Sequence, residues 1–261
     1  MKVNYLQTLT VVAVAFLAAG MPARASEIDD KTESSARNSY VFNTYLKGDE
    51  VKVESKEGVV TLSGTVNQES HKALAEETVA NLPGVQSVDN RLELKGEHPA
   101  ENSNEWTALK VKTVLLFHRN VNTVKTEVYV EEGVVTLRGE AASEAQRELI
   151  TGYVKDVSGI EGVKNEMTVA AIPQAPEPTV PENIDDASIT AQVRVALKFH
   201  HSIIVHDTKV QTTDGLVTLG GNVKDDTEKN LLTQLVGDIY GVRGVTNNMT
   251  HGNAIDGLRS N

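Results

Sequence analysis

Apolar and polar residues alternate in two short runs on either side of a turn, and this pattern occurs three times along the chain. The first copy reads VKVESKEGVVTLSG at 51–64, and closely similar runs occupy 126–139 and 208–221. A period of two is typical of strands with one buried face, and the glycine at the turn favours a tight connection between them. Each copy therefore predicts a β-hairpin.

A helix is predicted after each hairpin. In the third copy the apolar side chains recur with a period of about 3.6 residues, at Leu231, Leu232, Leu235, Val236 and Ile239. The other two copies repeat this stripe at equivalent positions. A last short strand then carries an asparagine, at 90, 165 and 247. We expect these asparagines to hydrogen-bond backbone groups rather than to form a polar site.

A further helix is predicted before each hairpin. Val111 and Leu115 in the second copy match Val193 and Leu197 in the third. In the first copy we expect the helix within 35–48, joined to its hairpin by a shorter loop. Each unit then reads α-β-β-α-β. The expected fold class is α+β, with three tandem small domains, each a three-stranded mixed sheet with two helices packed on one face.

Nine glycines recur at equivalent positions of the three copies and form a structural signature. They are Gly58, Gly64, Gly84, Gly133, Gly139, Gly159, Gly215, Gly221 and Gly241. In each copy the first lies at the hairpin turn, the second closes the second strand, and the third ends the helix. Turns and close packing explain this pattern better than a ligand does.

The composition between the repeats sets the expected boundaries. We expect a signal peptide at 1–25, domains at 30–98, 103–172 and 185–253, a proline-rich linker at 173–184 and a flexible tail at 254–261. The linker should be an extended spacer because proline restricts its backbone. Since the join between the first two domains is shorter, we expect those two domains to lie closer to each other than to the third.

The N-terminus predicts export. Lys2 precedes an uncharged, mainly apolar run at 9–20, and Ala23-Arg24-Ala25 offers small residues at a cleavage site. Such a run is too short to span the roughly 30 Å hydrocarbon core of a bilayer as a helix. The sequence has no cysteine, which excludes disulfides, thiolate metal sites and a lipid-bearing cysteine. We therefore expect a periplasmic protein with no transmembrane segment in the mature chain.

The mature chain should be strongly acidic. Without residues 1–25 it keeps 23 basic and 36 acidic side chains, for a formal charge of −13. A protein that neutralises phosphates needs clustered lysine and arginine, so a general nucleic-acid-binding function is excluded. The acidity mainly implies solubility.

The hairpin and the last strand also carry a family resemblance. The residues concerned are Gly58, Val60, Thr61, Leu62, Gly64, the Pro83-Gly84-Val85 turn, Val88 and Asn90, with counterparts in the other copies. Together they resemble the BON family, named for bacterial osmotically inducible periplasmic and nodulation proteins. The resemblance implies an exported, non-enzymatic protein that acts at the cell envelope through phospholipid or protein contacts, often under osmotic or envelope stress. Some members are chaperone-like, and the family supplies no catalytic residue and no cofactor.

No catalytic motif accompanies the repeat. The sequence lacks G-x-S-x-G, a P-loop, a dinucleotide-binding glycine fingerprint and H-E-x-x-H. The most site-like cluster combines His200, His201 and His206 with Asp207. Adjacent histidines on a helix point about 100° apart, which does not suit a metal site. We expect a solvated helix end there, no metal, no cofactor and no enzymatic activity.

One helix surface stands out because it differs between the copies. The candidate lipid or partner contact comprises Trp106, Lys110, Lys112, Leu116 and Arg119. Trp106 corresponds to Ser188 in the third copy and Leu116 to Lys198, so neither should be needed in the core. Apolar groups beside cations are typical of an interfacial membrane contact. The alternative is that Trp106 packs against its own core or a neighbouring domain.

Two classes of function remain open. The first is weak association with envelope phospholipid, through the helix that carries Trp106, in support of osmotic stress tolerance; tandem domains would strengthen it by multiple contacts. The alternative is a periplasmic chaperone-like protein that binds unfolded envelope proteins, or an interaction module of an envelope assembly. The chaperone hypothesis predicts exposed apolar grooves rather than a basic patch.

Overall fold

The computed structural model describes residues 21–96, 99–119, 121, 126–169, 184–199 and 208–251. Residues 1–20 of the expected signal peptide, the linker through residue 183, the tail and the histidine cluster at 200–207 lie outside these ranges.

Domain 1 is a three-stranded sheet whose buried side chains alternate with exposed ones. Its elements are α1 (Met21–Asn38), α2 (Tyr40–Thr44), β1 (Glu50–Lys56), β2 (Val59–Val66), α3 (Glu69–Ala80) and β3 (Ser87–Leu94). β2 lies in the centre, antiparallel to β1 and parallel to β3. The parallel pair requires a crossover connection, which α3 supplies.

Domains 2 and 3 repeat this topology with one interruption. Domain 2 contains α4 (Asn104–Leu116), β4 (Glu127–Glu131), β5 (Val134–Arg138), β6 (Glu140–Ala141), α5 (Glu144–Lys155), β7 (Gly162–Asn165) and β8 (Thr168–Val169). Domain 3 contains α6 (Asp186–Lys198), β9 (Lys209–Thr213), β10 (Leu216–Gly220), β11 (Asn222–Val223), α7 (Asp226–Gly237), β12 (Gly244–Asn247) and β13 (Thr250–His251). After the central strand a glycine breaks the ladder, and a two-residue parallel pair follows. The expected α+β class is confirmed.

Most of the described helices begin at a side-chain cap, and they bury the predicted stripe. Five of them start at an oxygen that accepts the backbone NH three residues further on: Ser39, Ser103, Ser143, Asp185 and Asp225. Each such cap contributes about 1 kcal/mol. In α7 the buried apolar side chains are Leu232, Leu235 and Val236, members of the stripe expected there. Within the described ranges, no helix combines the length and apolar character that a membrane span requires.

The signature glycines all have positive φ, between 76° and 129°. Gly64 shows the physical reason most directly. A Cβ at this position would lie 1.8 Å from the carbonyl oxygen of Glu50 on the adjacent strand. Only glycine therefore lets β1 and β2 approach each other here.

The asparagine of each last strand ties that strand to the preceding helix. In domain 3 the Asn247 amide donates to the Lys229 carbonyl at 3.1 Å and to Thr233 Oγ1 at 2.9 Å. Its oxygen accepts the backbone NH of Met249. Asn165 makes the equivalent contacts in domain 2. These side chains satisfy backbone groups, as expected.

The first helix of domain 1 lies earlier than the sequence indicated. It ends at Asn38, and only the short α2 falls entirely within 35–48, so the predicted position is wrong. The carboxylate of Asp29 explains the shift because it accepts the backbone NH of Glu57 at the hairpin turn, at 2.9 Å. Asp186 holds the turn of domain 3 at the same spacing of 28 residues. The loop of domain 1 is therefore not shorter.

α6 is buried on more than one side. Ten of its 13 residues are buried, against five of the 13 in α4. One face of α6 packs on the sheet of domain 3, and domain 1 covers a second face of the helix. There Ser188 accepts the backbone NH of Val41 at 3.0 Å, and Gln192 accepts the hydroxyl of Tyr45 at 3.1 Å. The polar side chains on this second face are hydrogen-bonded, as burial requires.

Domains 2 and 3 meet through a reciprocal pair of backbone hydrogen bonds. The NH of Tyr240 donates to the carbonyl of Phe117, and the NH of Ser158 donates to the carbonyl of Phe199, both at 3.0 Å. Phe117 and Phe199 are equivalent in the repeat, as are Ser158 and Tyr240, so the interface has approximate twofold symmetry. Domain 1 has Pro83 at the equivalent position, and proline has no NH to donate. Domain 1 therefore lacks the donor for one of the two bonds.

Domain 3 contacts both other domains, so the expectation that domains 1 and 2 lie closer to each other than to the third is wrong. Domain 1 meets domain 2 through an edge-on contact of Tyr45 and Phe117, whose ring centroids are 5.5 Å apart. Linker length limits only how far apart two domains can lie. Complementary faces, here those of α6, decide which domains pack.

We predict that Asp29→Asn lowers the free energy of unfolding at neutral pH but not in strong acid. Hydrogen bonds from the Glu57 NH and then the Ser55 hydroxyl lower the pKa of Asp29 below its ordinary value of 3.8. A carboxyl with a depressed folded pKa stabilises the fold above its unfolded pKa, and this contribution is lost as pH falls through the folded value. Urea unfolding at about pH 7 and through a series of decreasing pH values into strong acid measures the difference. Asp30→Asn, at the exposed neighbouring position, is the control, and an Asp29→Asn deficit that persists in acid would contradict this account.

We predict that Ser158→Pro loosens the interface between domains 2 and 3 without unfolding domain 2, because domain 1 already accommodates Pro83 at this position. The substitution removes one cross-interface hydrogen bond, worth about 0.5–1.5 kcal/mol. The backbone amides of Arg119 and Tyr240, which donate across the interface, should exchange with solvent up to roughly tenfold faster. Ser158→Ala keeps the NH and should exchange like the wild type. Identical exchange in both variants would refute the role assigned to this bond.

Candidate functional site

A groove of about 800 Å³ lies where the three domains meet. Its walls come from α3, α4 and the C-terminal end of α6, so no single domain contains it. Its floor is apolar and half-buried, and includes Ala73, Leu94, Trp106, Leu109 and Phe199. The volume falls within the usual range of ligand-binding clefts.

Charged residues of both signs stand at the rim of the groove. Glu101 and Glu105 lie just before and within the first turn of α4, and Lys112 lies near its other end. Lys198 comes from the end of α6 and Glu69 from the start of α3. Among the described residues, none of these five is held in an ion pair. Their charges are therefore available to a ligand.

The five predicted contact residues do not form one surface. Trp106 and Lys112 line the groove, whereas Leu116 is half-buried against the core. The Nζ of Lys110 donates to the carbonyl of Ser158 in the same domain. Partial burial lowers the pKa of Lys110. Lys110 and Leu116 thus serve the structure of domain 2.

Arg119, the fifth of these residues, reaches into domain 3. Its guanidinium donates to the carbonyls of Gly237, Ile239 and Val242, at 2.6, 3.1 and 2.8 Å. The Gly237 carbonyl ends α7 and the other two follow it closely, at a helix C-terminus where a cation is favourable. Arg119 therefore stabilises the interface between domains 2 and 3. Of the three cations expected near Trp106, only Lys112 lines the groove. Lys198 of domain 3 lines it as well.

Comparison with known families assigns the repeated unit. The family described as BON domain matches residues 28–96, 103–171 and 185–253, which together make up most of the chain. The chain belongs to the BON domain family. The three matched segments correspond to BON domains 1, 2 and 3 of the structure.

A curated BON-type relative matches most of this chain. Osmotically-inducible protein Y of Escherichia coli (strain K12) is 27% identical over 190 residues, which cover 73% of this chain and 92% of that protein. The BON array is thus related to a protein named for its osmotic induction.

Two solved structures are similar to the BON array in part. One is the C-terminal domain of CdsD, a structural protein of the Type III secretion system of Chlamydia trachomatis, with 16% identity, a TM-score of 0.22, and coverage of 82% of this chain and 96% of that chain. The other is the PrgH periplasmic domain, with 12% identity, a TM-score of 0.20, and coverage of 80% and 98%. Because these TM-scores are low, neither structure bears on function.

Sequence reasoning missed the walls that BON domains 1 and 3 supply. Ala73, Leu94 and Phe199 have the sequence character of ordinary core or helix-end residues in their own units. The signals were the differences between copies at two repeat positions: Trp106 against Ser188, and Leu116 against Lys198, which lines the groove. Trp106 and Ser188 both lie where BON domains meet, Trp106 in the groove and Ser188 against BON domain 1.

A second cluster lies buried between BON domains 2 and 3. His118 stacks on Tyr153 with ring centroids 4.3 Å apart, and its Nδ1 lies 3.7 Å from the Asp238 carboxylate. Burial, followed by the charge of Asp238, raises the pKa of Tyr153 well above its ordinary value of 10. The phenol therefore stays protonated at neutral pH. We interpret the cluster as part of the interface.

Metal-ligating side chains do not cluster in the described part of the chain. There, no three His, Asp or Glu side chains converge as metal ligands would. The histidines at 200, 201 and 206 lie outside the described residues, so their assignment to a solvated helix end stays a prediction.

Proposed function

We propose that this BON protein is an exported, non-enzymatic protein of the bacterial cell envelope that binds apolar segments of unfolded envelope proteins and so supports osmotic stress tolerance. The observation that carries the proposal is the groove, whose apolar floor combines side chains from three domains and stays half-buried. Accessible apolar surface in a cleft is typical of a ligand site.

The family and the N-terminus support the cellular setting. Relationship to an osmotically inducible protein supports a role in osmotic stress. The expected signal peptide at 1–25 and the absence of cysteine support a periplasmic location.

Binding in the groove requires no covalent chemistry. A client segment would bury its apolar side chains against Trp106 and Leu109, at roughly 25 cal/mol for each Å² removed from water. Partial burial of a few side chains gives weak and reversible binding. A protein that binds unfolded chains in this way withholds them from aggregation.

We predict that the mature protein suppresses aggregation of a thermally unfolded client without lipid or nucleotide, as measured by light scattering. Trp106→Ala removes the largest apolar side chain from the groove and should raise the amount needed for half-suppression roughly fivefold. The matched control is Tyr129→Ala, an aromatic side chain that is 51% exposed on the sheet of BON domain 2. Equal loss in the two variants, at unchanged melting temperatures, would rule out the groove as the site.

Phospholipid binding is the second candidate function. The observation that favours it is the position of Lys112 and Lys198 at the rim beside Trp106. An indole at the acyl boundary and ammonium groups at the phosphates suit an anionic membrane surface.

If lipid is the ligand, the protein should cosediment with anionic vesicles more than with zwitterionic ones. Lys112→Gln should lower partitioning about fivefold, because a lysine at an anionic surface contributes about 1 kcal/mol. Lys164→Gln changes the same charge at an exposed position on β7 and is the control. Indistinguishable partitioning of the two variants would count against lipid contact at this rim.

A further inference from the structure

The charges at the groove rim are separated along α4. Glu105 lies in the first turn and Lys112 seven residues later, about 10 Å along the helix axis. Trp106 and Leu109 lie between them and contribute to the apolar floor. Glu101 extends the acidic end before the helix begins.

The end of α6 adds a second cation to the groove, Lys198. The carbonyl of Phe199 accepts the NH of Ser158, whose own carbonyl accepts the Nζ of Lys110. These two contacts bring the end of α6 to the middle of α4, and Lys198 lines the groove together with Lys112. A ligand of a single charge sign would meet like charges at one end of the groove.

We propose that the groove selects client segments in which a short apolar stretch carries a basic residue at one end and an acidic residue at the other; this inference rests on the proposed function. The basic end of the segment faces Glu101 and Glu105, and its acidic end faces Lys112 and Lys198. An extended chain advances about 3.3 Å per residue, so three apolar residues place the flanking charges about 13 Å apart. This length exceeds the roughly 10 Å between Glu105 and Lys112 by about one extended residue, and Glu101 extends the acidic end beyond Glu105.

The charge pattern favours a peptide over a phospholipid. A phospholipid carries its phosphate and any amine together in one headgroup, at the end of its acyl chains. Along α4 the groove instead places Glu105 and Lys112 about 10 Å apart, with Trp106 and Leu109 between them. A peptide segment can present complementary charges at both ends.

Trp106 is the only tryptophan, so its fluorescence reports binding at the groove directly. Four capped peptides would share a Leu-Val-Leu centre, flanked by Lys and Glu, by two Lys, by two Glu, or by two Gln. The mature chain should bind the mixed-charge peptide about fivefold more tightly than the Gln peptide at low ionic strength. The advantage should fade in high salt because exposed charges are screened. The like-charged peptides should bind no more tightly than the Gln peptide.

Charge reversal at the groove provides a test that misfolding cannot imitate. The double variant Lys112→Glu, Lys198→Glu leaves only acids at the rim, so its preference should change to the peptide with two lysines. The matched control, Lys155→Glu with Lys164→Glu, makes the same change in net charge at exposed positions outside the groove. It should keep the wild-type preference.

Equal affinity for the four peptides would overturn the inference but leave apolar segment binding intact, since that function is judged by aggregation of the client. The inference would also be overturned if the control double variant changed its peptide preference as the groove variant does. Displacement of bound peptide by phospholipid vesicles, without preference among the peptides, would overturn the inference in favour of lipid.

Discussion

The burial of α6 from two sides is the constraint on which the arrangement of the three BON domains depends. A helix on a small α+β sheet ordinarily leaves a face in water, yet ten of the 13 residues of α6 are buried. Its second face carries Ser188 and Gln192, whose hydrogen bonds to BON domain 1 offset the cost of removing them from water. Because domains of this size lie near the lower limit for an independent core, apolar contact between them adds needed stability.

The two interfaces of BON domain 3 differ in kind, and the groove results from this difference. BON domain 2 pairs with it through reciprocal backbone bonds at Ser158 and Tyr240. BON domain 1 has Pro83 at that repeat position and packs against the side of α6 instead. The unequal packing leaves a cleft between α3, α4 and the end of α6. The same pairing directs Arg119 to carbonyls at the C-terminal end of α7, which removes a cation from the surface around Trp106.

Much of each BON unit could be read from local pattern. Period-two runs, the 3.6-residue stripe and the glycines with positive φ all reflect interactions within a few residues or across one hairpin. The position of the first helix of BON domain 1 was not predicted from local pattern, because a single carboxylate, Asp29, anchors the helix to a turn 28 residues away. Most of the candidate site was not predicted either, because it too depends on contacts between residues distant in sequence. Trp106 was found as a difference between copies, but Ala73 and Phe199 gain their role only from neighbouring domains.

The sequence by itself determined the repeat and the α+β class, because turn glycines and alternating apolar residues specify backbone shape and the buried face locally. Only the tertiary structure decided which BON domains pack together and which charges remain available at their junction. Helix faces such as those of α4 and α6 carry mixed small, polar and apolar residues that are compatible with water or with a partner. Whether such a face is buried or exposed depends on how well it fits a surface that is distant in sequence. The spacing of apolar residues within one helix does not specify that fit.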